Sequence, residues 1–184
     1  MNLIDLHEKY YEKLRRFILS VVKDNWVADD LVQETFVRAG EKYSDLRDSS
    51  RLSAWIFKIA WNLCNDHFNR ASYKKTDEFH DHISKVRILE HIEHKQMEEC
   101  IHDKMERLPD KYKLPLMLFD LEGFTHAEIA DILGVSVENA KVRLHRGRKE
   151  LKKILASECE FERDNRNVFV CIPKSDLIDN GGSK

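Results

Sequence analysis

Glycine and proline are scarce in this chain of 184 residues, at 6 and 3. A sandwich or barrel needs both at its many tight turns, so the shortage excludes a strand-rich fold and favours long helices. Long apolar runs are missing as well. Stretches such as Leu114 to Phe119 fall far short of the ~20 residues that a bilayer helix needs. The amphipathic beginning, MNLIDLHEKYYEKLRRF, is not that of a secretory signal. Both absences predict a cytoplasmic location with no membrane insertion. Cysteine is limited to Cys64, Cys100, Cys159 and Cys171, with no Cys-x-x-Cys pair. In a reducing compartment these are thiols, sensors or metal ligands before they are structural disulfides. Net charge is also small, at −2, so any nucleic-acid footprint has to be local.

The local footprint lies in FTHAEIADILGVSVENAKVRLHRGRKELKKI, from Phe124 to Ile154. Thr125 and Glu128 have the spacing of a capping box, in which hydroxyl and carboxylate each satisfy a backbone N–H at a helix start. Ile129, Ala130, Ile132 and Leu133 give that helix an apolar side, and Gly134 stands where a left-handed residue ends it. Ser136 then caps a second helix after about three residues, the spacing of a helix-turn-helix. On this second helix Val137, Ala140, Leu144, Gly147 and Leu151 share the side turned to the domain. Glu138, Val142, His145, Arg146 and Lys149 share the opposite side, flanked by Lys141, Arg143 and Arg148. Between residues 136 and 155 there are 7 Lys and Arg against 2 Glu. A bare valine amid cations suits the thymine methyl in a DNA groove, with the cations on phosphates or guanine edges.

Earlier in the chain, Leu3, Leu6, Tyr10, Leu14, Phe17, Ile18 and Val21 recur at helical spacing over residues 2–22, and Asp24-Asn25 ends that helix. A second helix is predicted from Trp26 to Gly40, with Val27, Leu31, Val32, Thr35, Phe36 and Ala39 inward. Asp29, Asp30, Gln33 and Glu34 face outward. Acids in a first turn also suit the helix dipole, so capping and docking fit them equally well. After the polar stretch Lys42 to Arg51 comes a third helix, Leu52 to Asn69, with Leu52, Trp55, Ile56, Ile59, Ala60 and Leu63 for the core. Lys58, Trp61, Asn62, Asp66 and Arg70 lie on its other side. Such a face can stack on and hydrogen-bond an unstacked base, although Trp61 and Phe57 taken singly suit packing on the first helix better.

Periodicity fails over residues 71–84. The expected architecture is therefore all-α, with two small helical domains, residues 1–70 and 85–155, joined by a linker at 71–84 and followed by a Cys-containing tail at 156–184. A helix is expected from Lys85 to Arg107 and another from Asp110 to Glu122, kinked at Pro115. In the tail, a small hairpin is expected around the turn-like Asp164 to Asn167.

Two stretches together resemble the extracytoplasmic-function (ECF) group of bacterial sigma factors. One is Asp29-Asp30-Leu31-Val32-Gln33-Glu34-Thr35-Phe36 followed by Leu52-Ser53-Ala54-Trp55 through Asn62-Leu63-Cys64-Asn65-Asp66. The other is Leu108-Pro109-Asp110-Lys111-Tyr112 through Leu121-Glu122-Gly123 to Arg143-Leu144-His145-Arg146-Gly147-Arg148. The resemblance implies a non-enzymatic initiation factor that recruits core RNA polymerase to promoter DNA and helps to open the strands. It implies that Asp29, Asp30, Gln33 and Glu34 dock on the polymerase clamp, and that the second domain sits on the polymerase flap. The loop with Tyr43, Asp45, Arg47 and Ser50 would capture a base flipped from the minus-ten element, beside Lys58, Trp61, Asn62 and Arg70. Lys141, Val142, His145 and Arg146 would read the minus-thirty-five element, flanked by Arg143, Arg148 and Lys149. An anti-sigma factor is a further partner the resemblance suggests. Gly147 departs from the family's usual alanine, and the tail is extra to the minimal pattern.

Three other expectations compete. Cys100, Cys159 and Cys171, with His94 or His102, are a donor set for zinc or a softer metal, or small buried side chains. His80-Asp81 and His102-Asp103 have the form of phosphohydrolase ligand pairs but lack the further ligands such a pocket needs. A helix-turn-helix regulator acting without the polymerase would leave the Asp29 to Glu34 and Trp55 to Asp66 patterns unexplained.

Overall fold

The computed structural model describes residues 3–46, 48–74, 101, 103–163 and 169–174. Its first helix, α1 (Leu3–Val22), buries Leu6, Tyr10, Leu14, Phe17, Ile18 and Val21, the part of the predicted stripe that follows Leu3. Lys23 turns the chain with φ at 60°, and the Asp24 carboxylate accepts the Val27 N–H at 3.0 Å to start α2 (Asn25–Glu41). The core side of α2 is Ala28, Val32, Thr35, Phe36 and Ala39, so Ala28 replaces the expected Val27 and Leu31, which are only half-buried. Two short 3₁₀ turns, Tyr43–Asp45 and Ser49–Arg51, lead into α3 (Leu52–Lys74). This helix continues past its expected end at Asn69. Leu52, Ile56, Phe57, Ala60, Leu63 and Cys64 are its buried residues, along with Ala54.

Helix α4 (Asp110–Leu116) ends one residue after Pro115, which is buried within it. The chain then widens into a π-turn, Met117–Leu121, closed by the Glu122 N–H donating to the Met117 carbonyl at 3.2 Å. The expected helix to Glu122 is thus altered in pitch: a proline N–H is missing from the ladder, and a wider turn is one way to absorb the mismatch. Helices α5 (His126–Leu133) and α6 (Val137–Glu158) follow, and β1 (Cys159–Arg163) pairs antiparallel with β2 (Phe169–Pro173). The expected hairpin is present, and the helices and connections around it make the rest of the described chain.

These residues form two compact units. One contains α1, α2, α3 and the segment Met117–Lys141. Its aromatic centre is Phe57, 5.3 Å from Phe17 and edge-on to Phe124 at 5.1 Å. Ion pairs surround it: Glu122 accepts from Arg16 at 2.6 Å and pairs with Lys13 at 3.0 Å, while Lys58 donates to Asp131 at 2.6 Å. Cys64 lies in this interior, and burial pushes its thiol up to about 12. A thiolate is the reactive form, so Cys64 should resist a disulfide reagent at pH 8 until denaturant is added. Thiol titration in the two conditions measures that difference, and full native reactivity would contradict the burial.

The other unit holds the described residues up to Leu116 and those from Val142 onward. Lys113 is fully buried, with its Nζ 3.0 Å from Asp110 and 3.3 Å from Glu106. At the far end of α6, Glu158 meets Arg107 at 2.6 Å and Lys104 at 2.8 Å. The hydrogen bond from Lys104 holds the Glu158 carboxyl below the ordinary carboxylate range, and the Glu158 bond holds Lys104 above its own. With the Glu158 pKa depressed on folding, the clasp is complete above the unfolded acid's pKa and is lost as pH falls through the folded value.

Candidate nucleic-acid and polymerase interface

The two-helix turn is built as its residues dictate. The Thr125 N–H donates to Glu128 Oε2 at 2.8 Å, and the Glu128 N–H donates to Thr125 Oγ1 at 3.3 Å, which completes the capping box. Gly134 takes a left-handed φ of 67° to end α5, and Ser136 Oγ accepts the Asn139 N–H at 3.1 Å to start α6. Removing a cap of this kind weakens a helix by ~1 kcal/mol. Thr125→Ala should therefore lower stability by about that amount in a denaturant melt, whereas Thr125→Ser should restore it.

On α6, Ala140 and Leu144 are buried, and Val137 and Leu151 are half-buried. Lys141, Val142, His145, Arg146, Arg148 and Lys149 are exposed, and Arg143 is half-buried. Val142 keeps 47% of its surface in contact with solvent. No acidic partner is present for Lys141, His145, Arg146 or Lys149 among the described residues. All seven residues expected at the upstream element thus lie on one helix, where Lys141, His145, Arg146 and Lys149 surround a bare apolar side chain with no acidic partner among the described residues. Such a surface is complementary to a phosphate-flanked groove.

The expected minus-ten residues are less uniform. Tyr43 and Asp45 are exposed on the first 3₁₀ turn, Asn62 and Arg70 are exposed on α3, and Arg47 lies outside the described residues. Ser50 is exposed, but its hydroxyl and its N–H donate to Asp48 at 2.7 and 2.9 Å. Those bonds, the hydroxyl's first, hold the Asp48 carboxyl below its usual range. Trp61 is half-buried with its ring 6.5 Å from Phe17, and Phe57 is wholly inside, so packing on α1 wins outright for Phe57 and in part for Trp61. Lys58, Trp61 and Asn62 line a cavity of about 550 Å³ together with Asp131, Gly134 and Val137.

The acidic helix also divides. Asp29 is held by Arg15 Nε at 2.7 Å, which raises the arginine's pKa, and Glu34 is held by Arg38 Nε at 2.8 Å. Asp30 and Gln33 are exposed and have no partner among the described residues. Two exposed residues on this helix were missed by sequence reasoning: Trp26, 84% exposed, and Val37, 54% exposed. Their spacing with Asp30 and Gln33, at four, seven and eleven, is the signal that could have found them.

Of the cysteine donor set, Cys100 lies outside the described residues, and so do His94, His102 and the whole of His80-Asp81. Cys159 is buried at the start of β1. The β ribbon pairs Cys159 with Pro173 and Phe161 with Cys171, which leaves Cys171 two positions from the residue opposite Cys159. Among the described residues no group of three or more His, Cys, Asp or Glu is placed to hold a metal ion. No described helix is long and apolar enough to cross a membrane.

Comparison with known proteins gives this geometry its context. Residues 6–73 match the family model for sigma-70 region 2, and residues 98–151 match that for sigma-70 region 4. RNA polymerase sigma factor SigZ of Bacillus subtilis (strain 168) is 32% identical over 177 residues, covering 92% of this chain and 96% of that one. The ECF RNA polymerase sigma factor SigM of the same organism is 29% identical over 158 residues, covering 84% and 95%. Among solved structures, the sigma factor RpoE of Bartonella quintana, determined with the anti-sigma factor NepR, shares the fold at a TM-score of 0.62 and 22% identity, over 83% of this chain and 97% of that one. An exposed basic helix face behind a capped turn, a separate acidic helix, and relatives matched along almost their whole length lead to one assignment: the chain belongs to the ECF RNA polymerase sigma factors, non-enzymatic subunits that bind core polymerase and direct it to promoters.

Proposed function

We propose that this sigma factor divides promoter recognition between two modules, residues 1–70 for the polymerase clamp and the minus-ten element and residues 85–155 for the minus-thirty-five element, with 71–84 as the tether. The observation that carries the proposal is the exposed face of α6, where Val142 is framed by Lys141, His145, Arg146 and Lys149 without acidic partners. Lys141, Val142, His145 and Arg146 read base edges, and Arg143, Arg148 and Lys149 hold the flanking phosphates. On the first module, Asp29, Asp30, Gln33 and Glu34 face the polymerase. Tyr43, Asp45, Arg47 and Ser50 surround the flipped base, with Lys58, Trp61, Asn62 and Arg70 along the adjoining strand. The protein works in the cytoplasm, where polymerase and promoters are. The sigma factor RpoE of Bartonella quintana, which shares this fold, has been solved with the anti-sigma factor NepR, and this chain is a candidate for the same kind of control.

Run-off transcription with purified core polymerase on a genomic promoter library tests the division. Transcripts should begin from a set sharing two short elements, and neither module alone should select them. Selection by residues 85–184 without polymerase would favour a free-standing regulator. The thiols Cys100, Cys159 and Cys171 supply the donors that zinc or a softer metal prefers. Metal content near one ion per chain, lost in the Cys159→Ser, Cys171→Ser double variant, would establish that site; a metal-free protein with a normal thiol count would end it.

A further inference from the structure

We propose that docking on core polymerase is anchored by Trp26, with Asp30, Gln33 and Val37 completing one stripe along α2. The inference rests on the reading of α2 as the polymerase-docking helix, and it changes which side chains of that helix carry the contact.

The stripe follows from helical geometry. Residues 26, 30, 33 and 37 fall on one line of α2, and all four are exposed. From end to end it runs about 16 Å, eleven residues at ~1.5 Å rise, a span suited to lying against one face of a partner. An exposed large apolar residue means little alone, but Trp26 has 84% of its surface in solvent and Val37 has 54%, and they close the two ends of the same polar stretch. Tryptophan is the residue most enriched among those that dominate binding energy.

Charge selects within the acidic set. Asp29 and Glu34 already accept hydrogen bonds from Arg15 and Arg38. A partner's cation would have to displace those arginines to reach them, and each arginine would be left to find another anion. Asp30, on the stripe, needs no such exchange. The matching patch on the polymerase is therefore an apolar recess deep enough for an indole, followed by a cation for Asp30, an amide or peptide group for Gln33, and a second apolar contact for Val37. Asp29 and Glu34 act as positioning residues, fixing α2 on α1 and within itself.

The test uses the full chain labelled at its C-terminus and titrated with cognate core polymerase, with fluorescence anisotropy giving Kd and a thermal melt as the folding control. Trp26→Ala should raise Kd by about tenfold or more with the melt unchanged, and Trp26→Phe should recover most of the affinity. Asp30→Lys should also weaken binding. If Trp26→Ala stays within about twofold while Asp30→Lys weakens binding, the anchor is refuted and the docking helix stands. If neither changes Kd, the docking assignment of α2 falls as well. Loss of affinity matched by a lower melting temperature would mean that Trp26 supports the fold, and would also overturn the proposal.

Discussion

Arg146→Ala should weaken binding of the minus-thirty-five element by the holoenzyme by ~1–3 kcal/mol, roughly 5- to 150-fold at 25 °C, while leaving the protein's melting temperature unchanged. Arg146 is exposed on α6 in line with Val142, and no acidic group among the described residues competes for its guanidinium. A bidentate contact to a guanine uses two parallel donors that an ammonium cannot reproduce, so Arg146→Lys should recover little of the loss. Specificity should relax at one position of the element. If the guanidinium meets only phosphate, the loss will be uniform across sequences and the salt slope will fall by ~1. Equal promoter use by wild type and Arg146→Ala would count against α6 as the reading helix.

Gly147→Ala should destabilise the protein by about 1–2 kcal/mol, and helix propensity predicts the opposite sign. In a helix interior alanine is favoured over glycine by up to ~1 kcal/mol. Here a Cβ would stand 2.9 Å from Leu116 Cδ1 and 3.0 Å from the Tyr112 carbonyl oxygen of α4. Leu116 is buried, so moving it aside means repacking its neighbours, and the backbone oxygen cannot rotate away by itself. Overpacking of this kind costs ~1–3 kcal/mol, so it exceeds the propensity gain. A melting temperature lower by several degrees is expected for a chain of this size. A rise would show that α4 and α6 separate easily.

That close approach shows what could be read from residues alone. Gly147 stood out as a departure from the usual alanine, but its close neighbour, α4, could not be named without the packing. The helix-turn-helix was legible in full because Thr125, Glu128, Gly134 and Ser136 act on their own neighbours through the chain. The outward face of α6 was legible for the same reason: 100° per residue is a local rule. The pair that holds Glu34 has the local i,i+4 spacing to Arg38, but the one that holds Asp29 is not local and divided the acidic helix unexpectedly. Arg15 lies 14 residues from Asp29, and nothing in the spacing of either residue reports their bond. The π-turn after Pro115 was half legible, since proline announces a disturbance without saying how the chain absorbs it.

The bond between Lys58 and Asp131 has a consequence for ionic strength. A cation that waits in solvent carries a loose cloud of small anions, and a duplex sheds its own condensed counterions when that cation arrives. Lys58 already has an anion of its own, fixed and covalently part of the chain. When a phosphate takes Asp131's place, one carboxylate is liberated to gather sodium or potassium just as the phosphate lets it go, and the two transfers cancel. The logarithmic dependence of promoter affinity on salt should therefore count Lys141, Arg146 and Lys149 of α6 and omit Lys58.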